Sequence, residues 1–329
     1  MKISIITVSK SNKAGLLRAI ECIRGQTYRN IEHVIVDGAS KDGTAEMLKK
    51  VQGDRLLYTN YSLLFVSEPD NGIYDAINKG INLATGDIIG LLHSDDIYAD
   101  ENVIEKYAEI FERASSTLRD NKSDVIPNDL PARKAGMKDL NSGKVSSPSV
   151  QNDSNQVDAV YSDLVYGKKK PGVSNQNLED KLVTTNYAIP ITHYKLLTSD
   201  YSIIRNWKSG DPSAQQKMIR ELKNGWMPPH PTLFIRKEIF DKFGLYRTDM
   251  KIAADYEMIL RLFYKHKIKT HYLPITTYLM TLGGASNKNL KNIFDKSKED
   301  FSSMRMNSIP FPSYTLFCKN FRKLPQFLK

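Results

Sequence analysis

The chain has 329 residues, with 47 Lys and Arg against 37 Asp and Glu, a formal net charge of +10. Hydrophobic residues make up 40% and charged residues 26%, enough apolar material for a sizeable core, which excludes a disordered polyelectrolyte. No run approaches the roughly 18 apolar residues that a membrane-crossing helix needs.

The apolar N-terminal stretch is short and is followed at once by Ser9-Lys10-Ser11-Asn12-Lys13, so it reads as a first buried strand and not as a secretory signal. Cys22 and Cys318 lie at opposite ends of the chain and make no metal or redox spacing. Both points lead to the expectation of a cytoplasmic protein in a reducing compartment.

In chain order, the β-branched run 3–8 predicts a strand and 13–25 a helix. Strand 31–36, helix 44–51, strand 63–67, helix 73–84 and strand 88–93 follow. Apolar strands alternating with helices predict an α/β fold, a mostly parallel Rossmann-like sheet with helices on both faces. In such sheets ligands sit at the carboxyl ends of the strands, which is where Asp37, Glu68 and Ser94-Asp95-Asp96 fall. Residues 113–156 turn rich in Ser, Asn, Asp, Lys and Pro without sustained period, predicting a disordered or flexible insertion. A strand at 157–161 and helices at 215–222, 237–243 and 254–264 complete the regular pattern, the last with Ile259, Leu260 and Phe263 on its core face.

Three stretches carry chemistry. In Leu91-Leu92-His93-Ser94-Asp95-Asp96 two adjacent carboxylates end an apolar strand. Like charges so placed call for a cation or full solvation, and oxygen ligands suit Mn²⁺ or Mg²⁺; a helix cap is the competing role. Val36-Asp37-Gly38-Ala39-Ser40, leading through Asp42-Gly43-Thr44, is a small-residue loop that opens a helix. Such a loop lets backbone approach a nucleotide; it is neither GxGxxG nor a P-loop, and Asp37 either contacts base and ribose or shapes the turn. Glu68-Pro69-Asp70-Asn71-Gly72-Ile73-Tyr74 turns into a helix on which Asp75 and Lys79 sit four apart.

These segments, with Thr85-Gly86-Asp87, resemble family-2 inverting glycosyltransferases of the bacterial surface-polysaccharide type. The likeness continues through Trp226-Met227-Pro228-Pro229-His230-Pro231-Thr232, Phe243-Gly244-Leu245-Tyr246, Ala253-Ala254-Asp255-Tyr256-Glu257 and Met280 to Gly283-Gly284-Ala285-Ser286-Asn287. It implies a GT-A fold in four parts. Residues 1–112 form the nucleotide-sugar half, 113–156 an insertion without counterpart, 157–287 the acceptor and catalytic-base half, and 288–329 a small helical appendage. It further implies inverting transfer from a nucleotide diphosphate sugar, a UDP-sugar first, to an acceptor hydroxyl on a glycan or lipid-linked glycan.

The resemblance places the nucleotide-sugar at Thr7, Val8, Ser9, Asp37, Glu68, Asp70, Lys79, Ser94 and Asp95. It places a divalent metal, Mn²⁺ or Mg²⁺, at Asp96 together with Asp95, Asp96 foremost, although the motif is Ser-Asp-Asp and not Asp-x-Asp. Asp255 is the expected general base with Glu257 in reserve, and His230, Trp226 and Tyr74 are further candidates. The competing expectation is a degenerate nucleotide-sugar scaffold.

The C-terminal tail carries Arg305, Lys319, Arg322, Lys323 and Lys329 among Phe311, Tyr314, Phe317, Phe321 and Phe327, with no Asp or Glu after Asp300. That composition suits a membrane headgroup layer, so a peripheral position on the inner face is expected and nucleic acid ranks last among partners.

Overall fold

A computed structural model of the chain describes residues 1–53, 61–120, 156–170, 201–212, 214–281 and 290–322. Strand β1 (Ile3–Ser9), helix α1 (Lys13–Arg24), β2 (Ile31–Asp37), α2 (Thr44–Gly53), β3 (Tyr61–Ser67), α3 (Ile73–Leu83) and β4 (Ile88–Leu91) alternate as the apolar pattern predicts. The short β5 (Ile97–Tyr98) and long α4 (Val103–Asp120) follow, then β6 (Ala159–Lys169) and β7 (Tyr201–Trp207). Helix α5 (Gln215–Lys223), a single turn His230–Thr232, β8 (Phe234–Arg236), α6 (Lys237–Phe243), α7 (Ala254–Ile259), β9 (Thr270–Thr281), α8 (Leu290–Met306) and α9 (Pro312–Phe321) complete the described chain.

The described strands make one sheet in the order β3-β2-β1-β4-β8-β6-β9-β5, with β7 beside β6. β1 pairs in parallel with both β2 and β4, so the chain first builds outward through β2 and β3 and then returns to the other side of β1. That reversal opens a crevice at the carboxyl ends of β1 and β4. β8 is antiparallel to β4 and to β6, which joins the two halves into one sheet.

Alternation along the strands covers both faces, as buried parallel strands require. Ile6, Val8, Ile89, Leu91, Ala159 and Tyr161 point to one core, shared with α3, α5, α6 and α7. Ile3, Ile5, Ile88, Leu92, Val160 and Phe234 point to the other, shared with α1 and α4. At Gly90 a Cβ would lie 2.7 Å from the Phe234 ring, which stacks on Tyr107 at 3.9 Å, so the close approach of β4 to that ring requires glycine.

The sequence placed the onset of the insertion at 113, but α4 continues to Asp120. Its buried Val103, Ile104, Tyr107, Ala108 and Phe111 anchor a helix that then runs on past the core, where composition gave no sign of it. Residues 121–155 of that insertion lie outside the described residues. The strand expected at 157–161 is the start of the eleven-residue β6, and the helix expected at 254–264 is α7 followed by a widened turn through Lys265. The sequence reading did not find β7, β8 or β9.

Candidate functional site

Two loops at the carboxyl ends of β1 and β2 are tied together. Asp37 is fully buried and accepts from Ser40 N at 3.0 Å, from Ser67 Oγ at 2.6 Å and from Ser40 Oγ. Ser40 Oγ in turn accepts from Ser11 N at 2.7 Å. Ser11 and Ala39 both hold left-handed backbone, φ +52° and +54°, a strain that persists only where surrounding contacts fix it and that clusters at functional sites. A Cβ at Gly38 would lie 2.2 Å from Asp70 Oδ2, so glycine lets the loop after β2 touch the one after β3. Asp37 therefore builds the loop wall with its carboxylate oxygens. Thr7 is likewise internal: its hydroxyl meets His33 Nε2 at 2.8 Å, and His33 Nδ1 meets Tyr61 OH at 2.7 Å. Burial pulls His33 down to about 3, with Arg24 pushing the same way, so the imidazole is neutral. Val8 packs in the core, and the Ser9 hydroxyl is buried with no hydrogen-bond partner among the described residues.

Asn12 joins β1 to β4. Its Oδ1 caps α1 by accepting from Gly15 N, and its Nδ2 donates to Ser94 Oγ at 3.2 Å and Asp95 Oδ1 at 2.8 Å. Asp95 is the outward carboxylate: its side chain is 60% exposed, with Arg18 at 3.7 Å. Asp96 turns inward. It is 3% exposed and accepts from Tyr278 OH at 3.0 Å and Thr281 N at 2.9 Å, both from β9. Burial outweighs those hydrogen bonds and raises the Asp96 carboxyl to about 7. The expected order of the pair is thus reversed in position: Asp95 faces the crevice, and Asp96 fastens the end of β9 beneath it. Glu68 and Lys79 pair at 2.8 Å at the rim, where Lys79 also donates to Pro69 O, and Asp70 accepts from Gly72 N.

The second cluster comes from the far half of the chain. Asp255, half-buried at the start of α7, accepts from Tyr74 OH at 3.3 Å and from Tyr256 N at 2.8 Å. Tyr74 also donates to Ile252 O at 2.8 Å and stacks on Tyr246, whose hydroxyl meets His230 Nε2 at 2.8 Å. Loss of hydration pulls the His93 imidazole down to about 4, helped by His230 and opposed by Asp255 and Asp95. His230 is lowered by burial and supported in its charged form by Asp255. His93, His230, Tyr74 and Asp255 thus form one electrostatic group beside Asp95. Glu257 is not part of it: buried, it pairs with Arg261 at 3.2 Å and accepts from Asn307 at 3.4 Å. Trp226 is also elsewhere, donating to Ser209 O at 2.8 Å and packing edge-on to Tyr161.

Several residues that the sequence reading missed hold this cluster. The Asn78 amide exchanges two hydrogen bonds with Tyr246 backbone, at 2.8 and 2.9 Å, pinning α3 to the far half. The Glu299 carboxylate on α8 accepts from Lys251, Ile252 and Ala253 N at 2.8 to 3.0 Å, immediately before α7. The Asn12 cap before an apolar helical run was legible; Asn78, Tyr278, Thr281 and Glu299 act over long sequence separations and left no local signal. The loop expected at Gly283–Asn287 lies outside the described residues.

Among the described residues no three His, Cys, Asp or Glu side chains gather into a metal cage. An outward carboxylate at a strand end, with the remaining positions left to diphosphate and water, still fits Mn²⁺ or Mg²⁺, which keep few protein ligands.

This arrangement is that of the GT-A fold, a mostly parallel sheet with helices on both faces. Residues 4–130 match the model for "Glycosyl transferase family 2". A stretch of 108 residues, 32% of the chain, is 36% identical to an uncharacterized glycosyltransferase of Mycobacterium tuberculosis. Another of 141 residues, 42% of the chain, is 33% identical to the PGL/p-HBAD biosynthesis glycosyltransferase of Mycobacterium bovis. The chain spans 38% and 52% of the lengths of these relatives. Over 92% of the chain and 65% of the other, the fold is like that of S. aureus TarS 1-349 in complex with UDP, with a TM-score of 0.52 at 12% identity. It is also like mannosyltransferase PcManGT from Pyrobaculum calidifontis in complex with GDP-Man and Mn²⁺, with a TM-score of 0.50 at 15% identity over 99% and 73%.

Proposed function

We propose that the chain transfers a sugar from a nucleotide diphosphate, a UDP-sugar first, to an acceptor hydroxyl with inversion, in the synthesis of a surface polysaccharide or glycolipid. One observation carries this reading: Asp255 is brought against Tyr74 of the donor half across 181 positions of sequence, into electrostatic contact with the His93 and Asp95 end of β4. Sites assembled by folding from distant carboxylates are the usual form of an active centre. The nucleotide-sugar complexes of TarS and the mannosyltransferase support a donor of that class.

In this reading the donor lies across the carboxyl ends of β1 and β4, its base and ribose against the Ser9 to Ser11 and Asp37 to Ser40 loops. The Ser9 hydroxyl is a free group for that contact. Asp95, steadied by Asn12, is the metal ligand, with Asp96 behind it holding Tyr278 and Thr281 in place. A divalent cation there, Mn²⁺ or Mg²⁺, would neutralise charge on the departing diphosphate. Asp255 takes the proton from the acceptor hydroxyl, a poor nucleophile until deprotonated, on the face of the sugar opposite the leaving group. Direct displacement then inverts the anomeric carbon. Tyr74 orients Asp255, and Glu68, Asp70 and Lys79 line the donor rim. The chain works in the cytoplasm on the inner face of the membrane, where a lipid-linked acceptor is within reach.

A donor-turnover screen, with and without Mn²⁺, on the wild type and Asp95→Ala tests this. Metal-dependent release of nucleoside diphosphate that falls in the variant is the expected result. Donor binding with turnover no higher than that of Asp95→Ala would replace it with a nucleotide-sugar scaffold.

A further inference from the structure

The described part of the C-terminal appendage ends in a helix that faces the wrong way for a packed element. On α9 the aromatic residues Tyr314, Phe317 and Phe321 share one side at three-and-four spacing, and all are more than half exposed. Phe311, just before the helix, is 79% exposed and sits in left-handed backbone at φ +54°, an outlier for a bulky side chain. The polar residues point inward instead. Thr315 Oγ1 donates to Lys223 O at 2.7 Å, and the buried Lys319 Nζ lies 2.7 Å from Asp300 and 3.2 Å above the Tyr256 ring.

That buried pair fixes the roll of α9. Turning the aromatic side inward would carry Lys319 away and leave the buried Asp300 carboxylate without its counter-charge. The backbone also seats closely, since a Cβ on Gly225 would lie 2.3 Å from Lys319 N. The outward aromatic stripe is therefore built in, and it exceeds the scattered apolar residues of an ordinary surface.

We propose that this stripe docks the protein on an anionic lipid bilayer. Charge decides the occupant. From residue 301 onward the sequence has no acidic residue; Lys319 pairs with Asp300 and Arg322 with Glu221, while exposed Arg305 lies at the junction of α8 and α9 and Lys323 and Lys329 follow in the sequence. Aromatic rings flanked by cationic side chains match the boundary between headgroups and acyl chains of a negatively charged leaflet. No helix among the described residues is long and apolar enough to cross a membrane, so the contact is peripheral. The docking face and the proposed base share one support: α8 holds the backbone of 251–253 through Glu299, and α9 presses Lys319 onto Tyr256, next to Asp255. Docking thus holds the Asp255 cluster at a fixed position behind the docked helix, which deepens the membrane location proposed above. The test needs no donor or turnover, so its failure leaves the glycosyl-transfer reading standing.

The test is flotation of the full chain with vesicles of phosphatidylcholine alone or mixed with an equal amount of phosphatidylglycerol. The wild type floats with the mixed vesicles and not with the neutral ones. Tyr314→Ser, Phe317→Ser and Phe321→Ser combined lower the partition at least about tenfold, given the apolar area withheld. Arg305→Gln lowers it roughly fivefold, the worth of one basic charge at such a surface, and carries the test should the triple variant not fold. A triple variant that floats like the wild type, a wild type that ignores anionic vesicles, or equal binding to neutral ones overturns the proposal. So does a lipid-free dimer that the triple substitution dissolves, which would make a second copy the occupant.

Discussion

The carboxyl ends of β1, β2 and β4 and the start of α7 hold their carboxylates in opposite ways. On the proposed donor side Asp37 and Asp96 are buried and accept two or more hydrogen bonds each, Asp37 from Ser40 and Ser67 and Asp96 from the end of β9, leaving Asp95 as the outward group. At α7 the exposure is reversed: Asp255 stays half-buried, and the propping falls to Tyr74, Asn78 and Glu299 from other elements. Donor-side acids serve mainly as scaffold, and the acceptor side holds one acid poised by borrowed contacts. Substitutions at the buried acids Asp37 and Asp96 should change mainly stability, and substitution of Asp255 mainly chemistry.

The largest effect is expected at Asp255. Asp255→Asn should lower kcat by about 10²- to 10⁴-fold, the usual worth of a general base, with donor KM little changed. A loss in KM alone would place Asp255 in binding. On the donor side, His33 is held neutral, its folded pKa of about 3 lying below the ordinary 6.5. Its contribution to stability is full above about pH 6.5 and is lost as pH falls toward 3, at up to about 1.4 kcal/mol per pH unit. Thermal melts of His33→Gln should flatten that acid limb; parallel curves for wild type and variant would break the comparison.

Glu299→Gln removes a charge facing three backbone donors and should cost about 1–2 kcal/mol. It should also reduce kcat more than KM, through misplacement of Asp255. A stability loss with unchanged kcat would make Glu299 purely structural. Asn78→Ala should cost about 1 kcal/mol in denaturant unfolding, from the lost bridge between α3 and Tyr246.

What was legible in the sequence follows the same divide. The strand-loop-helix units of the donor half are local: Asp37 reaches Ser40 three residues on, Asn12 caps its own helix, and the apolar alternation reports two covered faces. That Asp95 and not Asp96 is the outward group could not be read, because it depends on Tyr278 and Thr281, which hold Asp96 inward from 182 and 185 positions away. Glu257 and Asp255 stand two apart on one helix start, and only packing against Arg261 and Asn307 shows which of them faces away. The strands β7 and β9 escaped notice because their burial is partial, and β8 because it has only three residues and distant partners. The outward side of α9 was legible as composition, and its orientation rests on the Lys319–Asp300 pair.

The central claim is that Asp95 and Asp255 divide the work, one holding the leaving group's cation and the other removing the acceptor's proton. Nucleoside diphosphate binding with and without Mn²⁺, measured beside turnover on the wild type, Asp95→Ala and Asp255→Asn, tests this most directly. The account predicts that Asp255→Asn keeps wild-type Mn²⁺-dependent binding and loses turnover, while Asp95→Ala loses the Mn²⁺-dependent part of binding itself. Wild-type turnover by Asp255→Asn, or Mn²⁺-dependent binding untouched in Asp95→Ala, would contradict it.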